Sequence, residues 1–344
     1  MEELQQSMCE QLRKDDEFAL YRDRHPSAPG STSVLLLVPA LRHPSIDTVN
    51  KLGQEYSLRN DLDPEWAVRP LELSEYRGQV ALVLEDHGGE TLDRLAQERM
   101  ETPEFLRVAI GLAKALGGLH KKGFVHRDVK PANVLVDAVG NIRLMGFGIT
   151  SRLPCERQAA ASVQLVAGTL PYMAPEQTGR MNRSVDSRTD LYSLGVTLYE
   201  LMTASLPFEA SDPVEWMHAH IARQPVTPYE RSKEIPVAVS TIIMKLLAKN
   251  ADERYQTAAG AESDLRRCLA EWEAQNRIDP FVLGQQDTPD RLLIPEKLYG
   301  RESEIATLQA AFDRATAGCD PELVLVSGYS GVGKSSIVSE LRKS

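Results

Sequence analysis

Two short stretches carry residues whose types and spacing suit phosphate chemistry. The first is His126-Arg127-Asp128-Val129-Lys130-Pro131-Ala132-Asn133. Asp128, Lys130 and Asn133 put a carboxylate, an ammonium and an amide within six residues, groups able to take a proton, meet phosphate charge and ligate a metal ion. The second is Gly328-Tyr329-Ser330-Gly331-Val332-Gly333-Lys334-Ser335, which fits G-x-x-x-x-G-K-[ST]. There the backbone N–H groups of the turn and the following helix N-terminus would cradle a β-phosphate. Lys334 would reach the β- and γ-phosphates, and the Ser335 hydroxyl would hold magnesium. Gly328, Gly331, Gly333, Lys334, Ser335 and Ser336 are the expected nucleotide contacts of this second site.

The first stretch needs a helix before it and a short strand after it, and the pattern supplies both. Phe105, Ala109, Leu112, Leu116 and Leu119 form an apolar stripe from Thr102, with Pro103 in the first turn, to a stop at Gly123. VLV (134–136) and IRL (142–144) read as strands. Upstream, FALYR and TSVLLLV read as two strands around a turn-rich stretch, residues 45–59 as a helix capped by Ser45, and 79–85 as a buried strand. Downstream, helices are expected near 186–203, 213–223, 236–247 and 258–274. Residues 276–297 hold three prolines and little periodicity and read as a linker. A helix near 302–315, a strand ELVLVS, a glycine-rich turn and a helix complete the order.

HRDVKPAN resembles the catalytic-loop signature of protein kinases. GTLPYMAPE (168–176), ending in Ala174, Pro175 and Glu176, is similar to the family's substrate-docking segment. DLYSLGVTLYEL (190–201) is similar to its long buried helix. The resemblance covers residues 18–275 and implies an α+β, bilobal fold with a β-rich N-lobe and a helical C-lobe. It implies that Asp128 accepts the proton of the attacking hydroxyl, that Lys130 sits beside the transferred phosphoryl group and Asn133 holds magnesium, that His126 and Arg127 belong to the structural motif with Asp190 holding the catalytic loop from below, and that Glu176 pairs with Arg254. Lys130 and Thr169 mark specificity for serine or threonine hydroxyls.

Three departures argue against ordinary catalysis. Met145-Gly146-Phe147-Gly148 stands where the family carries the magnesium-binding Asp-Phe-Gly, so Phe147 and Gly148 remain but Gly146 offers no side-chain ligand. Leu37 ends the strand that should end in lysine, leaving Glu55 without its usual partner. No glycine precedes Gly30, so a glycine-rich loop over the phosphates is absent. The expectation is a pseudokinase; the alternatives are a slow, atypical serine/threonine kinase with Lys51 covering the phosphates, and a partner-binding lobe beside a single working ATP site. If Gly146 and Leu37 silence the cleft, Gly146→Asp with Leu37→Lys should restore part of the chemistry.

LYGRESEIATLQAAF (298–312) and the Walker A pattern resemble the lead-in of AAA-type ATPases, so residues 298–344 are expected to begin a P-loop α/β domain. The whole order resembles the N-terminal part of large bacterial signalling proteins that join a kinase-like domain to ATPase, sensor and histidine-kinase modules. That implies ATP and Mg2+ at Walker A, and downstream ATPase and signalling domains as partners. A net charge of −10 argues against nucleic-acid binding. The apolar runs are too short for membrane insertion, and residues 1–17 carry no signal-peptide pattern, so a cytoplasmic location is expected. Cys9, Cys155, Cys268 and Cys319 show no CxxC spacing and read as reduced thiols. His218 and His220, two apart in a helix, point to different faces and suggest no metal site. Trp216 reads as core, and Thr150, Ser151, Ser162 and Thr169 as solvated loop.

Overall fold

Continuous apolar strands demand cover on both faces, and the N-terminal region provides it with a twisted antiparallel sheet. The computed structural model describes residues 9–24, 33–96, 98–153, 168–180, 184–288, 301–317, 323–329, 334 and 337. Strands β1 (Glu10–Lys14), β2 (Phe18–Arg24), β3 (Ser33–Pro39), β4 (Pro70–Tyr76) and β5 (Gln79–Glu85) pair in the order β1-β2-β3-β5-β4. On β3, Leu35 and Leu37 face a cluster with Leu12, Leu20, Leu82 and Leu84. Val34, Leu36 and Val38 face Ala81 and Val83 on the other side. That double burial is why SVLLLV shows no polar alternation. Helix α1 (Ile46–Ser57), capped by Ser45 Oγ accepting the Thr48 N–H at 3.1 Å, lays Leu52 against the inner cluster.

The sheet starts earlier than residue 18. Residues 1–17 were expected to precede the domain, yet β1 pairs with β2 and buries Leu12. The cause is a β-bulge between Gln11 and Arg13 that breaks strand alternation.

Below the sheet, β6 (Glu90–Thr91) and α2 (Leu92–Leu95) lead to α3 (Thr102–Lys121), which begins one residue earlier than its expected Thr102 cap. β7 (Phe124–Val125), β8 (Val134–Val136), β9 (Ile142–Leu144) and β10 (Ser151–Arg152) follow as two small sheets, β6-β8-β9 and β10-β7. Helices α4 (Ser187–Thr203), α5 (Pro213–Ala222), α6 (Pro228–Arg231), α7 (Val237–Leu246) and α8 (Ala258–Gln275) follow, and α3, α4, α7 and α8 share one core. α4 is buried on nearly every side, and its buried residues include the polar Thr189, Asp190, Ser193 and Thr197.

The segment expected to be linker from 276 is fastened to this core as far as 288. Ile278, Phe281 and Leu283 pack against it. Asp287 accepts the N–H groups of Gln256 (2.6 Å) and Thr257 (2.9 Å) just ahead of α8. A Cβ on Gly260 would stand 2.4 Å from Asp287, so glycine permits that approach. Residues 289–297 lie outside the described residues. α9 (Glu302–Ala317) follows. Leu323–Ser327 of the expected strand pair with no other strand among the described residues, and Leu323 and Leu325 are exposed.

Candidate functional site

The first candidate stretch forms a loop between β7 and a turn of 3-10 helix at Pro131–Asn133. Asp190, in the first turn of α4 and wholly buried, accepts the backbone N–H of His126 and of Arg127, each at 2.8 Å. His120 lies 2.9 Å from the same carboxylate. Arg127 is thereby held at φ 71°, a left-handed conformation rare outside glycine. His126 is buried among these groups and its pKa is lowered, chiefly by desolvation. Its Nδ1 accepts the Asp128 N–H, so its Nε2–H donates to the Met145 carbonyl at 3.1 Å.

Asp128, Lys130, Asn133 and Thr169 converge. Asp128 Oδ1 accepts the Thr169 N–H (2.9 Å) and hydroxyl (2.8 Å); Oδ2 accepts Asn133 Nδ2 (2.9 Å). Lys130 Nζ donates to Thr169 Oγ1 at 2.7 Å and lies 3.4 Å from Asp128 Oδ2. Burial opposes ionisation of Asp128, but the Lys130 charge and the Thr169 hydrogen bonds outweigh it and hold the carboxyl below its usual range. Further down, Arg254 grips Glu176 through two bonds of 2.7 and 3.0 Å, both side chains buried. The remaining Arg254 donors meet the carbonyls of Arg188, Ala248 and Lys249.

The sequence that builds this arrangement is similar to known proteins. The protein kinase domain family matches residues 39–264. This chain belongs to that family. The AAA ATPase domain family matches residues 297–344. A serine/threonine-protein kinase PknB of Mycobacterium leprae is 34% identical over 230 residues, covering 66% of this chain and 34% of that protein. That of Mycolicibacterium smegmatis is 35% identical over 190 residues, covering 55% and 30%. A hybrid signal transduction histidine kinase G of Dictyostelium discoideum is 27% identical over 326 residues, covering 70% of this chain and 10% of that one. The chain thus spans about a third of the mycobacterial relatives and a tenth of the slime-mould protein.

The upper half of the kinase-domain cleft is built differently. Leu37 is 3% exposed and packs in the inner cluster of the sheet. Glu55, also buried, accepts the Gly146 N–H at 3.2 Å and a bond from the Phe147 backbone. Burial pushes Glu55 up to about 7, against those two bonds and the nearby charge of Arg13. Gly146 has φ +81°, and a Cβ there would stand 2.8 Å from the Asn133 amide. Phe147 is buried against the His126 ring, and a Cβ on Gly148 would meet α1 at Lys51. Asn133 is 3% exposed, and its Nδ2 also donates to the Asp128 carbonyl at 2.8 Å.

A turn of Asp15, Asp16 and Glu17 joins β1 to β2. Together with β1 it lines a cleft of about 240 Å³ that reaches down to Asp128 and Lys130. Lys51 Nζ donates to Glu17 at 2.6 Å and lies 3.4 Å from Asp47. Desolvation opposes its charge, yet these carboxylates raise its pKa overall. Sequence reading passed over this turn and Arg13. An Asp followed by two further acids between short strands was the available turn signal.

The other candidates separate. Lys334 Nζ donates to the carbonyls of Gly328 (2.7 Å) and Tyr329 (2.8 Å). Gly331, Gly333, Ser335 and Ser336 lie outside the described residues, as do Ser162, Cys155 and Cys319. Cys9 and Cys268 are free thiols. His220 is buried, lies 3.0 Å from Tyr192 Oη and stacks on Trp216, whereas His218 is exposed. Thr150 is buried and Thr169 is engaged by Asp128, so neither is free loop. No helix among the described residues is long and apolar enough to cross a membrane.

Proposed function

We propose that the kinase domain is a regulatory pseudokinase coupled to an ATP-binding P-loop module of a cytoplasmic signalling protein. One observation carries this reading: Gly146 stands at the metal-binding position, and Glu55 is spent on its N–H rather than on a lysine. Glycine has no side-chain oxygen for Mg2+, and Leu37 offers no charge to phosphates. Asn133 is left as the single expected side-chain metal ligand, with both its amide bonds directed at Asp128. The donor set therefore does not fit a magnesium triphosphate held in the usual way. ATP and Mg2+ belong to the second site instead, where Lys334, now folded onto loop carbonyls, would turn to phosphate. Mg·ATP titrated by calorimetry into the Lys334→Ala chain should give weak binding or none. A magnesium-dependent Kd in the low micromolar range would overturn the reading.

A second reading rests on the intact lower half. Asp128 is held ionised, with Lys130 3.4 Å away and Thr169 on its carboxylate, as a slow serine/threonine kinase requires. Loss of one preorganised electrostatic group costs about 10²–10³ in rate. Two such losses would leave a kinase of about 10 per second at minutes per turnover or slower, less any non-additivity. Autophosphorylation abolished by Asp128→Asn would favour this second reading.

A further inference from the structure

The cleft retains a cation that no expected site explains. Arg13 lies on β1 immediately after the bulge, and its side chain is 6% exposed and lines the cleft. A bulge beside a site re-aims one side chain, and here it turns Leu12 and Arg13 inward together. Arg13 donates to Asp15 Oδ2 at 3.0 Å, but its buried Nε has no hydrogen-bond partner among the described residues. A buried guanidinium N–H without a partner is costly to keep. Its planar fork suits a phosphate oxygen better than an ammonium does.

The turn that follows supplies carboxylates to each cation of the cleft. Asp15 meets Arg13 and lies 4.0 Å from Lys130; Glu17 takes Lys51 at 2.6 Å. Asp15 Oδ1 meanwhile accepts the N–H groups of Glu17 (2.9 Å) and Phe18 (2.7 Å), which fixes the turn. Resting on the pseudokinase reading, we infer that this cleft is a metal-independent oligophosphate site in which Arg13 replaces the missing strand lysine. The Asp15–Glu17 turn is its built-in competitor. The bound anion displaces both carboxylates from Arg13, Lys130 and Lys51 and takes the open Arg13 Nε–H. No divalent ion is needed, because the protein's own cations meet the charge once the turn yields.

The test uses the full chain with Lys334→Ala, titrated in EDTA with inorganic tripolyphosphate and, separately, with ATP. Adding Asp15→Asn and Glu17→Gln keeps the turn's acceptor oxygens but removes its charge, and should tighten tripolyphosphate binding at least about tenfold. Arg13→Gln on top should erase that gain. Equal gains for ATP and tripolyphosphate identify phosphate as the recognised group; a larger gain for ATP identifies a nucleotide, and either supports the site. No gain in the folded charge-neutral variant, or a gain that survives Arg13→Gln, overturns it. Hydrogen exchange reads the same event without altering the cleft. Saturating tripolyphosphate should reduce protection of the Glu17 and Phe18 amides, and unchanged exchange there counts against the inference. Tight binding that requires magnesium would instead sink the pseudokinase reading, so the two failures are distinguishable.

Discussion

Replacing Gly146 with aspartate looks, from sequence, like the repair of a lost metal ligand. The structure assigns it a cost first. Position 146 sits at φ +81°, and its Cβ would fall 2.8 Å from Cγ and Oδ1 and 2.9 Å from Nδ2 of Asn133. Left-handed backbone costs a non-glycine residue about 1–2 kcal/mol, less for the short polar side chains that tolerate it. Asn133 must then move, loosening Nδ2 bonds of 2.8 and 2.9 Å to Asp128, each worth about 0.5–1.5 kcal/mol. Gly146→Asp should therefore destabilise the metal-free protein by about 2–4 kcal/mol, and Gly146→Ala, which adds the same Cβ, by a similar amount. Denaturant unfolding measures both. The decisive comparison is a double-mutant cycle with Asn133→Ala, in which the cost of Gly146→Ala should shrink by at least about 1 kcal/mol because its obstacle is gone. Additivity, or a cost for Gly146→Asp below about 0.5 kcal/mol, would refute the steric argument. It would also revive direct repair with Leu37→Lys, which places an ammonium in an apolar cluster.

Glu55 has a folded pKa raised to about 7 by burial, so the fold binds its proton more tightly than the unfolded chain does. Its contribution is present below the ordinary glutamate range and is lost as pH rises through about 7. Glu55→Gln should thus stabilise by on the order of 1–3 kcal/mol at pH 8 and by little at pH 4, as read from unfolding curves across pH; equal effects at both would refute this. Arg254→Ala leaves the buried Glu176 carboxylate with only the Thr189 hydroxyl and its own backbone N–H and should cost about 3–5 kcal/mol in chemical denaturation; a loss below about 1 would show the pair to be peripheral. In the intact chain, Lys334→Ala should remove most ATP binding while Asp128→Asn leaves it nearly unchanged, measured by equilibrium titration, and the reverse order would promote the kinase reading.

Contiguous motifs and buried partners were the readable part. HRDVKPAN lies within eight residues, so its loop could be placed before any contact was known, and the position of Asp190 followed from the resemblance. The departures at Leu37 and Gly146 were equally visible, since each is a change of residue type in a recognised place. What Glu55 does in their absence was not visible, because its partners are backbone N–H groups that any sequence supplies. β1 escaped for a geometric reason: its bulge buries Leu12 and Arg13 side by side and erases the alternation that marks a strand. The hold of Asp287 on Gln256 and Thr257 joins residues about 30 apart, and no local period encodes it. ELVLVS has strand composition, but a strand is defined by the neighbour it bonds, and none lies among the described residues.

The fastening of residues 277–288 changes how far the next unit can travel. If the chain left the kinase domain at the end of α8, the covalent path to α9 would run from 275 to 302; anchored at Asp287, it starts about a dozen residues later. At about 3.3–3.6 Å per residue, the longest possible tether falls from roughly 90 Å to roughly 50 Å. Its near end is no passive surface either. Asp287 and Asp264 bind the residues that directly follow Arg254, so the tether begins beside the residue that pairs with buried Glu176. The kinase domain is in this sense leashed at the residues next to the buried Arg254–Glu176 pair.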